Sequence, residues 1–265
     1  MKKTFYQLLL LLLLPALSMA QSNVSSKDIL AKINAGQAVT YTNVRISGDL
    51  DLTQLTNKTL VKNRLNDMGS KIYLSTVTAP LTFINCVFTG DVLAYYNPDN
   101  DKFQLFNQSD EEVFNTNFEK DVTFSGCTFE KASVFKYSEF KGKVSFAGSR
   151  FKDEALFKYA EFSSAPNFSK AAFEDVANFK YVKFPAATSF QAASFRDDAD
   201  FKYAEFESNA DFKSSVFNRL ANFKYSKFIA PEFKGAQFKG DEDFKYTMVN
   251  GRKMSASTIL TGISR

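Results

Sequence analysis

Large apolar residues recur with a regular spacing through the middle of the chain. Between Phe118 and Phe244 the phenylalanines are separated by alternating steps of six and five residues, with one extra step of five from Phe228 to Phe233. Four such steps make 22 residues, and this longer period is also visible in the tripeptide Phe-Lys-Tyr, which begins at positions 135, 157, 179, 201, 223 and 244. An internal period of this size predicts a solenoid or another repeat array.

The residues around each phenylalanine favour strands over helices. An 11-residue period is also compatible with a right-handed coiled coil. However, most phenylalanines have a small residue two positions earlier, as at Ala155, Ala177 and Ala199. Side chains two apart share one side of an extended chain but not of a helix. The pattern therefore predicts a β-solenoid whose four short sides alternate in length like the spacing itself, and whose interior is filled alternately by small and large side chains.

The repeated unit resembles a known family. Ala177-Asn178-Phe179, Ala199-Asp200-Phe201 and Ala210-Asp211-Phe212 are similar to the central motif of the pentapeptide-repeat family. The resemblance implies an all-β fold, a right-handed, four-sided parallel β-helix, with the phenylalanine and the residue two before it pointing inward. This sequence departs from the strict five-residue pattern in every second step, and variants with this 5/6 alternation exist in the family.

The segment from Met1 to Ala20 has the features of a secretory signal peptide. Lys2 and Lys3 precede an apolar run from Leu8 to Leu17, and Ser18-Met19-Ala20 offers small residues before a cut at Gln21. The run is about half of the ~20 residues needed to span a bilayer. Cleavage would leave 31 basic and 29 acidic residues, a net charge of +2. We therefore expect an exported protein of the periplasm, cell envelope or extracellular space, without a transmembrane span after cleavage.

Four segments follow from the pattern: the signal peptide at 1–20, an N-terminal cap at 21–43, the β-solenoid at 44–248 and a C-terminal cap or tail at 249–265. In the cap, a Ser25 or Ser26 N-cap and an apolar face with Ile29 and Ile33 predict a short helix. Such a helix would cover the exposed end of the stack. The repeat is lost near 53–69 and 94–117, which predicts two excursions, and the second is an acidic loop.

The two cysteines occupy the same register of the repeat. The separation of Cys86 and Cys127 corresponds to one full coil plus an insertion shorter than a second coil. They should therefore be stacked neighbours that point inward. A strand spacing of about 4.8 Å lies within the Cα range of a disulfide, and exported proteins meet oxidising conditions. Stacking in parallel register gives poor torsion geometry, so a disulfide and two buried thiols both stay open.

The composition excludes most types of catalytic site. The chain has no His and no Trp, and both cysteines are at core positions, which excludes His-based acid/base catalysis and Cys/His sites. A carboxylate-based carbohydrate enzyme would need a break in the repeat that gathers acids, whereas the acids recur evenly. A calcium loop beginning at Asn97 is disfavoured, because Lys102 replaces the expected Gly and Gln108 the expected Glu. We expect a non-enzymatic protein without catalytic, cofactor-binding or metal-binding residues.

The most specific outward feature is a pair of columns on one side of the predicted solenoid. Because the phenylalanine of each Phe-Lys-Tyr unit points inward, the next two residues form neighbouring rows: Lys136, Lys158, Lys180, Lys202, Lys224 and Lys245, beside Tyr137, Tyr159, Tyr181, Tyr203, Tyr225 and Tyr246. One interpretation is a solubilising and stabilising surface inherited from repeat duplication. The other is a docking face for an anionic glycan, a membrane surface or an envelope protein.

The sequence also bears on two further roles. Some pentapeptide-repeat proteins are cytoplasmic DNA mimics that bind topoisomerases, which needs a strongly acidic surface. The near-neutral charge and the predicted export signal disfavour that role, and a net charge of +2 also disfavours direct nucleic-acid binding. A spacer or assembly protein, which contacts partners through its ends or its acidic loop, stays an alternative.

Overall fold

Four sheets enclose one continuous core, each sheet forming one side of the stacked coils. The computed structural model describes residues 21–61, 71–98 and 112–261. The predicted signal peptide and most of the acidic excursion, including the disfavoured calcium loop from Asp99 onward, lie outside the described residues. The described chain is a four-sided parallel β-helix, which confirms the fold predicted from the phenylalanine spacing.

Sides 1 and 2 meet at the first corner of each coil. Side 1 contains the four strands Val39–Thr42, Leu81–Ile84, Val122–Ser125 and Val144–Ser145, and isolated bridges continue it through Asn167 to Ser189. Side 2 contains nine strands: Ser22–Ser25, Val44–Ser47, Val87–Phe88, Thr128–Phe129, Arg150–Phe151, Ala172–Phe173, Ser194–Phe195, Val216–Phe217 and Gln237–Phe238.

Sides 3 and 4 complete the coil. Side 3 contains eight strands: Leu50–Asp51, Val92–Leu93, Ser133–Val134, Ala155–Leu156, Ala177–Asn178, Ala199–Asp200, Ala221–Asn222 and Glu242–Asp243. Side 4 belongs to a twelve-stranded sheet: Thr59–Val61, Lys71–Val77, Tyr95–Tyr96, Glu112–Phe118, Glu139–Phe140, Glu161–Phe162, Lys183–Phe184, Thr188–Ser189, Glu205–Asp211, Lys227–Glu232, Met248–Val249 and Arg252–Lys253. Of these, Thr188–Ser189 lies on side 1 and joins the sheet by pairing with the end of Glu205–Asp211.

The core is a set of stacked phenylalanine columns. Phe179 is fully buried, and its ring stacks on Phe157 and on Phe201 at centroid distances of 5.0 Å with interplanar angles of 3°. Phe168, on the opposite side of the coil, meets Phe179 edge-on at 5.2 Å. Ala177 is also fully buried, as predicted for the small residue two positions earlier. Alternation of small and large side chains therefore lets four sides fill one narrow interior.

The irregular step in the spacing corresponds to an irregularity in the strand register. Strand Glu205–Asp211 pairs with Lys227–Glu232, and Phe206 lies opposite Phe228. The register then shifts, so that Asn209 lies opposite Ala230. The later coil thus has one residue fewer at this corner, and the phenylalanines return to alignment because a bulge absorbs the difference.

The two excursions form one structure beside the stack, which we call the wing. It consists of the strands Thr59–Val61, Lys71–Val77, Tyr95–Tyr96 and Glu112–Phe118. The two long strands pair in parallel along their whole length, and each short strand pairs antiparallel with one long strand. Within the wing, Tyr73 stacks on Phe114 at 5.0 Å, and Lys58 Nζ lies 4.8 Å from the Phe114 ring centroid. The sequence predicted two separate excursions and did not predict this pairing.

Both ends of the described stack are covered. At the N-terminal end, helix α1 (Ser26–Asn34) begins after the N-cap Ser25, whose hydroxyl accepts a hydrogen bond from the Lys27 backbone N–H, and it buries Ile29 and Ile33. The predicted short helix is therefore present. At the other end, helix α2 (Ala256–Thr261) places Ile259 against the core. The exposed apolar surface of the end coils is thus reduced at both ends.

Candidate docking face

The Lys and Tyr columns lie where side 3 turns into side 4. In each unit the phenylalanine is buried, the lysine follows it on the outer surface of side 3, and the tyrosine occupies the corner. The six corner tyrosines have φ angles between 58° and 64°, which is the left-handed region: Tyr137, Tyr159, Tyr181, Tyr203, Tyr225 and Tyr246. Each corner still continues the backbone ladder, as shown by Tyr159 N donating to Lys180 O at 3.0 Å.

The tyrosine rings form a continuous stack along the solenoid. Successive ring centroids are 4.9, 4.7, 4.7, 4.8 and 4.9 Å apart, and the planes differ by 2° to 13°. Tyr137, Tyr181 and Tyr246 expose 44%, 39% and 40% of their surface. Because ring faces contact each other, the column offers solvent its ring edges and its row of hydroxyl groups. A ligand therefore meets hydrogen-bonding groups here, and ring faces are not available for sugar stacking.

The lysines are held beside this stack by cation–π contacts. The Nζ atoms of Lys136 and Lys158 lie 5.0 Å from the ring centroid of the following tyrosine, and the same contact is 5.2 to 5.6 Å long at Lys202, Lys224 and Lys245. Lys180 differs, because its Nζ pairs with Asp200 Oδ2 at 3.1 Å. We call these twelve residues the Lys/Tyr ladder. Among the residues that the structure describes, most of these ammonium groups are thus positioned without a carboxylate partner.

Other residues close both ends of the ladder. Tyr95 of the wing contacts Tyr137 with a centroid distance of 5.8 Å, and Lys136 Nζ donates to the Tyr95 hydroxyl at 3.2 Å. At the opposite end, Lys253 Nζ lies 4.6 Å from the Tyr246 ring centroid. Neither residue can be assigned to the ladder from the sequence, because neither belongs to a Phe-Lys-Tyr unit. The ladder therefore has six rungs and a defined length.

Comparison with protein families agrees with this geometry. The family model described as pentapeptide repeats (9 copies) matches residues 114–161, 168–216, 179–227 and 201–248, which include every rung of the ladder. The chain is a member of the pentapeptide-repeat family. A search of curated proteins finds no match. The family is typically a structural or binding fold, and the ladder must be interpreted on its own chemistry.

The pentapeptide-repeat coils also explain the Asp and Asn residues that precede several of the phenylalanines. Asn178, Asp200 and Asn222 each accept a hydrogen bond from the backbone N–H two residues later, at 3.1 to 3.2 Å. Such Asx turns stabilise the approach to the corner. Only the carboxylate at Asp200 also pairs with a ladder lysine, Lys180. These side chains therefore have a local structural role, and the charged ones also reduce the positive charge of nearby rungs.

Side 3 of this pentapeptide-repeat protein has an acidic edge opposite the ladder. Asp153, Glu154, Asp175, Asp197 and Asp198 lie on successive coils at the corner with side 2, and Arg219 of the next coil pairs with Asp197 and Asp198 at 3.3 and 3.5 Å. Burial raises the pKa of Glu154, and the neighbouring carboxylates of Asp175 and Asp153 raise it further. This edge was not among the features predicted from the sequence. Since one side carries both signs of charge, a broad anionic surface would meet the acidic edge as well as the lysines.

The two cysteines are free thiols in the structure and are buried in adjacent coils. Cys127 Sγ donates to Phe83 O at 3.3 Å, and Cys86 Sγ donates to Tyr41 O at 3.5 Å. A hydrogen bond between the two thiols lowers the pKa of Cys86 to about 7 and, together with burial, raises the pKa of Cys127.

The rest of the described chain adds little candidate chemistry. Among residues 21–61, 71–98 and 112–261, no group of three or more His, Cys, Asp or Glu side chains is arranged to hold a metal ion. The helices in these ranges are all too short or too polar to cross a membrane. A cleft of about 630 Å³ lies beside α2, lined by apolar residues such as Ile229, Phe233 and Met254. The ladder is the most regular array of outward polar groups that the structure describes.

Proposed function

We propose that this protein is an exported, non-enzymatic binding module of the cell envelope that docks a linear anionic glycan along the Lys/Tyr ladder. The observation that carries the proposal is the stack of six rungs, each with an ammonium group and a phenolic hydroxyl, at centroid spacings of 4.7 to 4.9 Å. Five steps of about 4.8 Å give a track about 24 Å long. An extended chain of acidic sugars presents anionic groups and hydroxyls at comparable regular intervals.

Three features favour a narrow polymer over a membrane surface. The acidic edge lies on the same side as the ladder, so a flat anionic surface would be repelled there. The lysines are pre-positioned by cation–π contacts, which reduces the entropy lost on binding. The exposed tyrosine edges offer hydroxyl groups and little apolar area, whereas peripheral membrane binding relies on apolar insertion as well as charge.

Export is the second part of the proposal and rests on the segment from Met1 to Ala20. Lys2, Lys3 and the apolar run to Leu17 support a cleavable leader. A cut before Gln21 would leave the first strand, Ser22–Ser25, intact and paired with Val44–Ser47. N-terminal sequencing of the protein recovered from the host envelope should begin at Gln21. A chain that retains Met1 and stays in the cytoplasm would contradict this part.

The docking proposal is tested by charge reversal on two matched sets. In one variant Lys158, Lys180 and Lys202 become Glu. In the control variant the same change is made at the exposed lysines Lys141, Lys183 and Lys239, which lie on other parts of the coil, so both variants have the same net charge. Calorimetry with hexagalacturonate should show a loss of affinity of at least about tenfold for the ladder variant, and a much smaller loss for the control.

Each other partner class gives a different result. Neutral maltohexaose should not bind. Binding to vesicles of 3:1 phosphatidylcholine and phosphatidylglycerol, without binding to hexagalacturonate, would replace the glycan with a membrane. Equal losses of affinity in the two variants would show that the effect depends on net charge alone, and would reject the ladder as the binding site. Unchanged capture of envelope proteins by the ladder variant, without glycan binding, would favour the spacer or assembly alternative.

A further inference from the structure

The six rungs of the ladder differ in their surroundings. The outward residue two positions before each lysine changes along the stack: Val134, Leu156, Asn178, Asp200, Asn222 and Asp243. The first two rungs thus have apolar neighbours, and carboxylates occur only from the fourth rung onward. This difference is not visible in the Lys and Tyr columns themselves, which are uniform.

Asp200 neutralises the middle of the ladder. Its Oδ2 atom pairs with Lys180 at 3.1 Å, while Oδ1 accepts hydrogen bonds from Lys202 N at 3.1 Å and from Asn222 Nδ2 at 3.2 Å. Asp243 likewise lies beside the last rung, where its Oδ1 accepts from Lys245 N at 2.8 Å. Both carboxylates therefore offset positive charge in the C-terminal part of the ladder.

The first two rungs lack such compensation among the residues described. Lys158 lies between Lys136 and Lys180 and has no carboxylate oxygen within ion-pair distance, and the nearest polar partner of Lys136 is the Tyr95 hydroxyl. The pKa of Lys158 is lowered by burial, then by Lys136 and Lys180, while Asp200 opposes the shift more weakly. Like charges held together without a counter-ion create a local maximum of positive potential.

From this arrangement we infer that Lys136 and Lys158 form the primary anion subsite of the ladder, which takes a carboxylate, sulfate or phosphate group of the ligand, while the later rungs contribute less. The inference rests on the proposed docking function and adds that one end of the ladder binds the ligand more strongly than the other. Tyr95 closes this end, so an anionic group seated here lies at the end of the track. The apolar neighbours Val134 and Leu156 also exclude water beside the subsite, which strengthens the electrostatic attraction.

Two double variants with equal changes in charge test the difference between the ends. Lys136→Gln with Lys158→Gln removes the first two rungs, and Lys224→Gln with Lys245→Gln removes the last two. Each pair removes the cation–π contacts with its own two tyrosines, and the first pair also loses the contacts of Lys136 with Tyr95 and of Lys158 with Tyr181. The melting temperatures of both variants are therefore measured alongside binding. We expect the first pair to weaken hexagalacturonate binding at least about fivefold and the second pair less than about twofold.

A third variant should increase binding. Asp200→Asn keeps the Asx turn, because Asn178 and Asn222 make the same turn at equivalent positions. It removes the carboxylate that pairs with Lys180 and thereby extends the uncompensated positive region to a third rung. We expect the affinity for hexagalacturonate to rise about two- to fivefold. Circular dichroism should show that the fold is unchanged.

Titration with a small anion tests the subsite independently of the docking function. Inorganic sulfate is titrated while the lysine side chains are followed by NMR, and Lys136 and Lys158 should shift at lower sulfate concentrations than Lys224 and Lys245. If hexagalacturonate binds but both double variants lose equal affinity, the subsite inference is wrong and the docking function stands. If sulfate selects the first two rungs but hexagalacturonate does not bind, the subsite stands and the glycan is wrong. If hexagalacturonate does not bind and sulfate shifts all the ladder lysines equally, both are rejected.

Discussion

Replacing one central ring of the core should be the most costly single substitution in the chain. Phe179 is fully buried and stacks on Phe157 and Phe201, and its edge contacts include Phe168 and Phe190 at 5.2 and 5.3 Å. Truncation to Ala removes most of the ring and breaks these aromatic contacts. Neighbouring coils are joined by backbone hydrogen bonds above and below, so they can collapse only partly into the cavity.

The expected loss of stability follows from these contacts. A buried Phe→Ala substitution costs about 3 to 5 kcal/mol, and aromatic pairs contribute about 0.5 to 1.5 kcal/mol each beyond area burial. Phe179→Ala should therefore lie near the upper end of that range. Phe238 is only partly buried at the end of its column, so Phe238→Ala should lower the free energy of unfolding distinctly less. Lys180→Ala, on the surface beside Phe179, should change the free energy of unfolding by less than about 0.5 kcal/mol.

Urea unfolding followed by far-UV circular dichroism measures all three variants. A repeat array does not always unfold in one step, so the transitions of the wild type and variants must first be shown to have the same slope. A cost below about 1 kcal/mol for Phe179→Ala, or equal costs for Phe179→Ala and Lys180→Ala, would refute the assignment of the ring to a tightly packed interior.

Three further predictions concern the titrating and strained groups. The pKa of Glu154 is raised in the folded state, so ionisation of this carboxyl lowers stability as pH rises through its folded pKa. The Glu154→Gln variant should therefore have a higher melting temperature than the wild type at pH 7, and this difference should disappear near pH 4. Cys86 and Cys127 are buried, so a thiol reagent should label them only after unfolding, and rapid labelling of the native protein would contradict the core position. Tyr203→Gly should be about 1 kcal/mol more stable than Tyr203→Ala, because glycine adopts the φ of 62° without strain.

The repeat could be predicted because it is specified locally. In most coils a small residue and a phenylalanine two apart mark the inward positions, as at Ala177 and Phe179. A single sequence therefore contains many copies of the same signal. Stacking then follows, since each coil has only its neighbours to pack against. The Lys and Tyr columns were predicted for the same reason, because their positions are fixed relative to the phenylalanine.

The wing and the charge pattern could not be predicted in this way. Pairing of Lys71–Val77 with Glu112–Phe118 joins segments about two coils apart in sequence, and the sequence shows there only the loss of the repeat. Which lysines pair with a carboxylate depends on side-chain reach between coils: Lys180 pairs with Asp200 of the next coil rather than with a residue of its own. Such contacts have no fixed spacing that a repeat would reveal.

The tyrosine corners help to decide between the two interpretations of the ladder. A left-handed conformation costs a non-glycine residue about 1 to 2 kcal/mol, and a stacked aromatic pair returns about 0.5 to 1.5 kcal/mol. The two terms nearly cancel, so a stabilising role alone gives tyrosine little advantage over glycine. The equivalent corner between sides 1 and 2 also has positive φ, yet it holds unrelated residues such as Gly148, Lys170, Ala192 and Ser214. Folding therefore tolerates many residues at such a corner, and the proposed docking role would account for six tyrosines in succession, each beside a lysine.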